Sequence, residues 1–468
     1  MSTPDPELPA AVARRLADVL PPDRLLLDPA DRIAYGYDNS RRVAMPQAVV
    51  LATSADEVQA VIDCCREQAL PLIARGRGTN TTGATVPIHG GVVLSLERMN
   101  RVLRVSPGDR LLECEAGTLN GEVQREAARH GLFWAPDPTS AAYSTVGGNL
   151  ACGSGGPRAV KYGTARDAVL GLRAIAGNGT PLRTGCYTTK GVVGYDLTRL
   201  LIGSEGTLAV ITQAALKLLP KPETTRMLRA AYRDVEAAAA AVARLMAQPE
   251  TPSALEFLDA DAVQLAQAWR DCGLPADCGA LLLIECDGSH AGIAAVVDAI
   301  SAAAAGDGLL DLRAARDEAE AENLWAARKA LSPALRSLAP KKVNEDVAVP
   351  VTRLPALIDG VAALSRQHGL RIVCFGHAGN GNIHVNLLAN PDDPAQMAVI
   401  EPCLHAVFRL VLDLEGTLSG EHGVGIDKRA YVAWEIDAPT LSMMQAVKRT
   451  FDPAGILNPG KAIPAPSA

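Results

Sequence analysis

The chain has 468 residues, of which 48% are hydrophobic and 21% charged, and its formal net charge is -7. A single hydrophobic core rarely grows beyond about 250 to 300 residues, so this length predicts two or three domains. The acidic balance argues against a nucleic-acid surface, because such a surface needs clustered basic residues that neutralise phosphates.

Residues 1–45 are predicted to form an N-terminal helical segment. Their first stretch, "MSTPDPELPAAVARRLADVL", has acidic residues and prolines where a signal peptide needs a basic start and an apolar centre. No apolar run approaches the roughly 20 residues that span a bilayer. The ten cysteines include no C-x-x-C pair, which favours reduced thiols. We therefore expect a cytoplasmic protein, with a peripheral contact at the inner face of the membrane left open.

Residues 46–224 are rich in glycine and in short β-forming runs such as "QAVVLATS" and "TLAVITQAALKLL". This combination of glycine with short β-forming runs predicts a strand-rich α+β domain. From about residue 225 to 420, β-rich runs alternate with helical patterns, which include predicted helices over 234–247 and 315–338. This alternation is typical of a sheet covered by helices. Residues 421–468 form a turn-rich C-terminal segment. No repeat of 20 to 50 residues is visible, which excludes a solenoid.

The first glycine loop follows the apolar run "LPLIA" and reads "RGRGTNTTG". Consecutive backbone N–H groups in such a loop can hold a pyrophosphate, although a purely structural turn is an equal reading. The loop is not a Rossmann fingerprint, because Gly76-x-Gly78 lacks the third glycine at the required spacing and Pro87 interrupts the expected helix. An NAD-dependent dehydrogenase is therefore disfavoured.

Two further glycine-rich runs follow within about 140 residues. Residues 136–163 read "PDPTSAAYSTVGGNLACGSGGPRAVKYG", and residues 203–212 read "GSEGTLAVIT". Three such runs are difficult to explain as turns alone. A large, flat cofactor that carries phosphate would account for all three.

Two histidines flank a Gly-Asn-Gly turn in "FGHAGNGNIHVNL", where a hairpin can bring His377 and His384 to one face of a sheet. The run "SGEHGVG" adds Glu421 and His422. Two imidazoles and a carboxylate form an incomplete ligand shell for a divalent ion. Spacing alone does not separate this interpretation from hydrogen-bonded histidines of a core or surface.

Seven motifs follow one another along the chain: RGRGTN, DPTS with TVGGN, GPRAVKYG, GSEGTLAVIT, GHAGNGNIHVN, SGEHGVG and ILNPGK. In this succession the chain resembles the FAD-dependent D-2-hydroxy-acid dehydrogenases of the vanillyl-alcohol oxidase superfamily. The group includes flavoprotein D-lactate dehydrogenases, the FAD chain of glycolate oxidase and D-2-hydroxyglutarate dehydrogenase. The resemblance implies an α+β fold with a two-part FAD-binding domain, to which residues 421–468 return. It also implies an α/β substrate (cap) domain with an antiparallel sheet.

By this resemblance, the first two glycine-rich runs hold FAD. The first loop contains no histidine for covalent attachment, so noncovalent FAD is expected. The implied FAD contacts are Arg75, Gly76, Arg77, Gly78, Thr79, Asn80, Thr81, Pro138, Thr139, Ser140, Gly147, Gly148, Asn149, Gly156, Tyr162, Gly163, Val210 and Asn458.

The resemblance also assigns the histidines. It implies that His377, His384 and Glu421 bind zinc or manganese and that His422 is the catalytic base. A D-2-hydroxy acid would bind the metal through its carboxylate and hydroxyl, His422 would accept the hydroxyl proton, and hydride would pass to flavin N5.

Three residues are predicted to bind substrate. Arg328 matches an arginine that the family places near the substrate carboxylate, and its planar guanidinium suits bidentate binding, although a solvated helix face is an equal reading from sequence. Asn386 lies two residues beyond His384, on the same side of a strand. Lys342 is a weaker candidate, as is Asn344. Because no second cation is evident for a distal carboxylate, D-lactate or a similar small monocarboxylate is favoured.

Other interpretations share these motifs. The chain could be the FAD chain of a glycolate oxidase complex or a D-2-hydroxyglutarate dehydrogenase. It could also be an electron-transfer module in which the histidines hold a structural zinc. An alkylglycerone-phosphate synthase is disfavoured because its consecutive-histidine motif is absent. The expected electron acceptor is a quinone, cytochrome c or an electron-transfer flavoprotein. The oligomeric state is open, and a homodimer is one option.

Overall fold

A computed structural model describes residues 7–269 and 273–465. The chain divides into two compact units. Unit 1 comprises Met1–Gly155, Gly163–Lys221 and Glu421–Ala468, and unit 2 comprises Gly156–Tyr162 and Pro222–Gly420. Both units combine helices with largely antiparallel sheets, so the predicted α+β class is confirmed.

The strands of the described residues form four sheets. In chain order they are β1 (Leu25–Leu26), β2 (Ala48–Leu51), β3 (Leu72–Arg75), β4 (Val92–Ser95), β5 (Val102–Ser106), β6 (Leu111–Glu115), β7 (Leu132–Phe133), β8 (Val169–Ala176), β9 (Pro181–Gly185), β10 (Ala209–Lys217), β11 (Leu219–Pro220), β12 (Thr224–Tyr232), β13 (Ala254–Asp259), β14 (Ala280–Gly288), β15 (Leu309–Ala314), β16 (Lys341–Ala348), β17 (Arg371–His377) and β18 (Asn382–Ala389).

The α-helices vary from one turn to more than five turns. In chain order they are α1 (Ala10–Val19), α2 (Pro29–Arg32), α3 (Ala55–Glu67), α4 (Asn120–Ala128), α5 (Val146–Cys152), α6 (Ala159–Tyr162), α7 (Leu197–Leu201), α8 (Val235–Ala247), α9 (Ala260–Trp269), α10 (Ile293–Ala304), α11 (Glu318–Leu338), α12 (Leu354–His368), α13 (Pro394–Asp413), α14 (Val432–Glu435) and α15 (Ala438–Phe451).

Unit 1 contains a mixed sheet and an antiparallel sheet. The mixed sheet has the order β1-β2-β4-β3, in which β2 and β3 run parallel to β4. The antiparallel sheet has the order β5-β6-β10-β8-β9, and β7 pairs separately with β11. Strands β2 and β4 are buried along their whole length, as expected for strands covered on both faces. On one face, side chains such as Val50 and Leu94 join a core that includes Trp134, and on the other face Val49 and Val93 join a smaller cluster.

Unit 2 is built on one seven-stranded sheet with the order β15-β12-β14-β13-β17-β18-β16. Every pairing within it is antiparallel. Helices α9 and α11 pack side chains such as Val263 and Leu331 against one face of this sheet. The predicted helix over 315–338 begins later, at Glu318, because the Asp317 side chain accepts a hydrogen bond from the backbone N–H of Glu320 and caps the helix there.

A short segment of the second glycine-rich run belongs to unit 2 rather than unit 1. Within Gly156–Tyr162, the Lys161 ammonium and the Tyr162 hydroxyl both donate to the Asp287 carboxylate. Arg158 Nε donates to Glu285 Oε1 at 3.2 Å. Both acceptors lie on β14, so three side chains attach this segment to the sheet.

Helix α13 is long and apolar enough to cross a membrane by length and composition alone, so the expectation that no apolar run approaches this length is wrong. The core helices of soluble proteins pass the same test. In unit 2 its side chains Cys403, Val407, Phe408 and Val411 are buried.

Candidate active site

A cavity lies in unit 1 where the glycine loops meet. We call it the glycine-loop cavity. Its lining residues are mostly small: Ala74, Arg75, Gly76, Ala84, Thr85, Leu96, Ala116, Thr145, Gly147, Gly148, Ala151, Cys152, Glu205, Gly206, Ala209 and Ile211.

Two glycines of this cavity cannot carry a side chain without displacing their neighbours. A Cβ on Gly76 would lie 2.3 Å from Thr145 Oγ1, and a Cβ on Gly147 would lie 2.6 Å from the Ala116 Cβ. Thr145 also caps α5, because its hydroxyl accepts a hydrogen bond from Gly148 N at 3.2 Å. The backbone of the first glycine-rich run at Gly76 therefore packs directly against the Thr145 side chain of the second run.

Two buried polar atoms in the second glycine-rich run have no hydrogen-bond partner among the described residues. They are Asn149 Nδ2 and Ser144 Oγ, on side chains that are 3% and 1% exposed. A buried polar group without a partner costs free energy, which a bound polar ligand can recover. Neither residue lines the glycine-loop cavity itself, whose small lining residues fit a cofactor that has both phosphate and ring parts.

The Arg75 side chain is bound to protein groups. Its Nη1 donates to Tyr37 O at 2.7 Å and to Thr85 Oγ1 at 3.0 Å. Gly78, at φ +64°, leaves room for the guanidinium, since a Cβ there would lie 2.2 Å from Nη2. Burial lowers the pKa of Arg75. Arg75 thus holds the first loop in place while its backbone lines the cavity.

Asn80 binds two loops of unit 1 to each other. Its Oδ1 accepts from Thr82 N at 2.9 Å and from Ala84 N at 3.1 Å. Its Nδ2 donates to the backbone oxygen of His422 at 3.0 Å. The first glycine loop is therefore directly connected to the residue predicted to be the base.

Glu205 holds the same segment from its other side. The Glu205 carboxylate accepts from Val424 N at 2.5 Å and from Gly425 N at 2.8 Å. Burial raises the pKa of Glu205, although both amides and Lys461 favour the charged form. A Cβ on Gly423 would lie 2.4 Å from Glu205 Oε1, so glycine is required there. Glu421 and His422 precede this anchored turn.

In unit 2, the hairpin of β17 and β18 brings the two histidines of the Gly-Asn-Gly turn together. The ring centroids of His377 and His384 are 5.3 Å apart. The turn between them requires glycine, because Gly381 has φ +69° and a Cβ there would lie 1.8 Å from Val349 O. The two imidazoles therefore share one face of the sheet.

Each histidine has an acidic residue opposite it on the neighbouring strand. Glu256 on β13 pairs with His377, and its Oε1 lies 2.5 Å from His377 Nδ1. Asp346 on β16 pairs with His384, and its Oδ1 lies 3.6 Å from His384 Nδ1. Asn382 Nδ2 donates to the same Asp346 oxygen at 2.7 Å.

Arg328, on α11, reaches the same carboxylate as His377. Its Nε and Nη2 each lie 2.7 Å from Glu256 Oε2. Its guanidinium carbon lies 4.7 Å from the centroid of the Phe375 ring, close enough for a cation–π contact. Burial alone would raise the pKa of Glu256, but His377 and Arg328 hold it below its ordinary value.

The other predicted substrate residues contact protein groups. Asn386 is fully buried, and its Nδ2 donates to Val373 O at 3.1 Å and to His384 O at 3.0 Å. Its Oδ1 has no hydrogen-bond partner within the described parts of the chain. Lys342 Nζ donates to Ser332 Oγ at 2.8 Å. Their contacts with substrate stay predictions.

Family models match both parts of the chain. Residues 46–185 match the model described as FAD binding domain. Residues 221–462, more than half of the chain, match the model described as FAD linked oxidases, C-terminal domain. The chain belongs to the FAD-linked oxidase family. This FAD-linked oxidase is an oxidoreductase, and most residues that line the glycine-loop cavity, from Ala74 to Cys152, lie in the part that matches the FAD-binding model.

Curated relatives match the oxidase along almost their full length. It is 36% identical to the glycolate oxidase subunit GlcD of Bacillus subtilis over 96% of both chains. It is 33% identical to a D-lactate dehydrogenase of Anaerostipes hadrus, covering 89% of this chain and 90% of the relative. It is 31% identical to a D-2-hydroxyglutarate dehydrogenase of Stutzerimonas stutzeri, covering 96% and 98%. The recognised resemblance to this family is confirmed.

A solved structure of p-cresol methylhydroxylase with bound substrate has the same fold. It matches the oxidase with a TM-score of 0.78 at 16% sequence identity, over 97% of this chain and 96% of that chain. At this identity the comparison supports the fold alone. It confirms the predicted vanillyl-alcohol oxidase type.

Some of the predicted FAD contacts of the oxidase line the glycine-loop cavity, and others bind protein groups. Four of them line the glycine-loop cavity: Arg75, Gly76, Gly147 and Gly148. The Asn458 Nδ2 donates to Ala84 O at 2.9 Å and to Glu205 O at 2.7 Å. Arg77 forms a 3.3 Å ion pair with Glu97, and the Tyr162 hydroxyl binds Asp287. The remaining contacts, Gly78, Thr79, Asn80, Thr81, Pro138, Thr139, Ser140, Asn149, Gly156, Gly163 and Val210, stay predictions, as do the FAD contacts of Asn458, Arg77 and Tyr162.

Three polar residues of the cavity, Thr85, Thr145 and Glu205, were not predicted as site residues. Thr145 and Glu205 lie inside the recognised motifs TVGGN and GSEG, where other residues such as Gly147 and Asn149 were predicted instead. A threonine directly before a glycine-rich helix start is a recognisable N-cap signal. An acidic residue between two glycines is a weaker signal, and its role depends on Val424 and Gly425, which are distant in sequence.

Proposed function

We propose that this FAD-linked oxidase converts a D-2-hydroxy acid, most readily D-lactate, to the corresponding 2-oxo acid. The names of the three relatives support this substrate class. The observation that carries the proposal is in unit 2, where Arg328 is held beside two histidines of one sheet face through the shared carboxylate of Glu256. A fixed cation next to imidazole groups suits a small anion that carries a hydroxyl group.

Bound FAD supplies the two-electron acceptor, which takes the hydride at N5. The residues of the glycine-loop cavity fit this cofactor, since backbone amides of the glycine loops can hold phosphate and small side chains admit a ring system. The buried Asn149 amide adds a hydrogen-bond donor for it.

We also propose a divalent metal, zinc or manganese, held by His377, His384 and Glu421. The donor set of two imidazoles and one carboxylate is typical of catalytic metal sites. When bound, such an ion supplies a Lewis acid that lowers the pKa of a coordinated hydroxyl. The carboxylate beside His377 Nδ1 supports the assignment, because metal-binding histidines usually donate their other ring N–H to such a group.

In this proposal His422 accepts the hydroxyl proton, since a neutral imidazole is basic enough at neutral pH. Asn80 and Glu205 hold the turn that carries it. Arg328 binds the substrate carboxylate through an edge of the guanidinium that Glu256 and Phe375 keep oriented. Asn386 and Lys342 are proposed as secondary contacts.

The test is anaerobic reduction of the purified yellow protein, followed at the flavin absorption band. D-lactate, L-lactate, glycolate and D-2-hydroxyglutarate are each added before and after treatment with a chelator. Rapid bleaching by one D-acid, lost after chelation and restored by zinc or manganese, supports the proposal and names the substrate. Bleaching that survives complete metal removal would exclude the metal from the reaction.

A second candidate is the FAD chain of a multi-subunit glycolate oxidase, which the 36% identity to a subunit of that name favours. In that case glycolate would reduce the flavin, but turnover with an external acceptor would require partner chains. The proposed acceptor is a quinone, cytochrome c or an electron-transfer flavoprotein. A cytoplasmic location with a peripheral contact at the inner membrane face is also part of the proposal.

A further inference from the structure

One buried carboxylate in unit 2 contacts two residues that have different proposed tasks. Glu256 is 0% exposed, and its two oxygens are divided between His377 and Arg328. Cross-strand register places Glu256 directly opposite His377, and α11 brings Arg328 from the helical layer. No sequence motif contains all three residues, since they lie on β13, α11 and β17.

At His377 the contact determines which ring nitrogen can bind a metal. An ionised carboxylate only accepts hydrogen bonds, so Nδ1 must carry the hydrogen that faces Glu256 Oε1. A neutral imidazole then has its lone pair on Nε2. Glu256 therefore selects Nε2 as the ligand atom and restricts rotation of the ring.

At Arg328 the same carboxylate determines how the guanidinium is presented. Both Nε and Nη2 lie 2.7 Å from Oε2. This contact uses one edge of the planar group and leaves the other edge, which includes Nη1, to face elsewhere. The Phe375 ring supports one face of the guanidinium at 4.7 Å.

We propose that Glu256 is a positioning residue that couples metal retention to substrate affinity by orienting His377 and Arg328 together. This inference rests on the proposed function. It predicts that one isosteric change weakens two separately measurable properties, namely the retention of the metal and, at saturating metal, the affinity for the substrate carboxylate.

The informative variant is Glu256→Gln. A glutamine has one acceptor oxygen and one NH2 group, so it can accept from His377 or from Arg328 but not from both. Its matched control is Glu285→Gln. Glu285 is also a buried carboxylate of the same sheet, on β14, and it binds Arg158 and Ser253 but no histidine. Flavin content and circular dichroism establish that each variant is folded.

Two measurements follow on wild-type and variant holoprotein. Bound zinc and manganese are quantified by mass spectrometry after dialysis against graded chelator, which does not depend on activity. The KM for the acid that reduces the flavin is measured with saturating metal. In Glu256→Gln we expect metal loss at about 10- to 100-fold lower chelator and a KM raised about 10-fold or more. Glu285→Gln should change neither.

A double variant separates coupling from general damage. Arg328→Gln alone should raise the KM, and adding Glu256→Gln should raise it no further, because Glu256 acts on substrate only through Arg328. The metal retention of the double variant should equal that of Glu256→Gln. Additive effects on KM would overturn the coupling.

The outcomes distinguish this inference from the proposed function. If wild-type protein retains metal and is reduced by the acid while Glu256→Gln behaves as Glu285→Gln does, the function stands and the positioning role is wrong. If wild-type protein retains no metal under any loading condition, the proposed metal site fails, and the coupling fails with it.

Discussion

Glu205 and Gly425 are joined by a 2.8 Å hydrogen bond from the backbone N–H of Gly425 to the Glu205 carboxylate. The two residues are 220 positions apart in the chain. Through this bond the GSEG loop of unit 1 holds the SGEHGVG turn, three residues after the proposed base His422. A carboxylate that lines the glycine-loop cavity thus restrains a segment proposed to perform proton transfer.

Glu205→Gln should therefore reduce kcat by about 10- to 100-fold, the cost of losing a buried charge-assisted hydrogen bond. The glutamine NH2 group would oppose the N–H of either Val424 or Gly425. Flavin content serves as the internal control, because Glu205 also lines the cavity. A variant with full flavin and unchanged kcat would show that the turn does not need this anchor.

Gly76→Ala should lower the FAD content of the purified protein. The added Cβ would lie 2.3 Å from Thr145 Oγ1, so the first two glycine runs would have to separate. The control is Gly108→Ala, where nothing lies within 4 Å of the new Cβ. The ratio of flavin to protein absorbance measures the effect. Equal ratios in the two variants would contradict a close approach of these loops.

Gly381→Ala should destabilise the hairpin that carries His377 and His384. A left-handed backbone costs alanine roughly 1 to 2 kcal/mol, and here the Cβ would also lie 1.8 Å from Val349 O. Gly369→Ala is a matched control, since it has φ +62° and open space around its Cβ. Thermal unfolding should show a larger fall in Tm for Gly381→Ala. Similar falls would mean that the hairpin turn adjusts without cost.

Lys461 predicts a pH dependence of stability. Burial lowers the pKa of its ammonium to about 8, although Glu205 and Asp38 favour the charged form. From about pH 8 to about pH 10 the unfolded chain then binds more protons at this site than the folded protein does, so this group makes stability rise with pH. The rise is about 3 kcal/mol at most.

Lys461→Met removes this titration. The free energy of unfolding is measured with urea for wild-type and variant protein across that pH window. It should rise with pH more steeply for the wild-type protein, because the variant lacks the contribution of Lys461. Comparison of the two proteins cancels the titration of all other groups to first order. Parallel curves would indicate that Lys461 has an ordinary pKa in the folded protein.

The local elements were largely predictable from the sequence. The predicted helix over 234–247 is present as Val235–Ala247, because Asp234 caps it and Ala238, Ala241, Val242 and Leu245 recur with helical spacing on its buried face. The hairpin around Gly381 follows from its Gly-Asn-Gly turn. Such features depend on residues close in sequence, where propensity and periodicity operate.

The contacts of the site were less predictable. Asn80 and Asn458 belong to correctly recognised motifs, yet their side chains bind His422 O and Glu205 O rather than lining the cavity. Short motifs identify which loops meet, but each polar side chain is satisfied by the nearest suitable partner in the folded chain. Glu256 was not predicted as a site residue, because the sequence "SALEFLD" is typical of an ordinary buried strand.

The sequence by itself determined the family, the FAD-binding loops, the α+β class and the hairpin that carries the two histidines. Those properties are encoded in motifs, local periodicity and turn residues. Only the tertiary structure decided which carboxylate faces each histidine, which group holds Arg328 and which residue restrains the turn after His422. The physical reason is that cross-strand register and helix packing, not sequence proximity, bring Glu256 to His377 and Arg328, and Glu205 to Gly425.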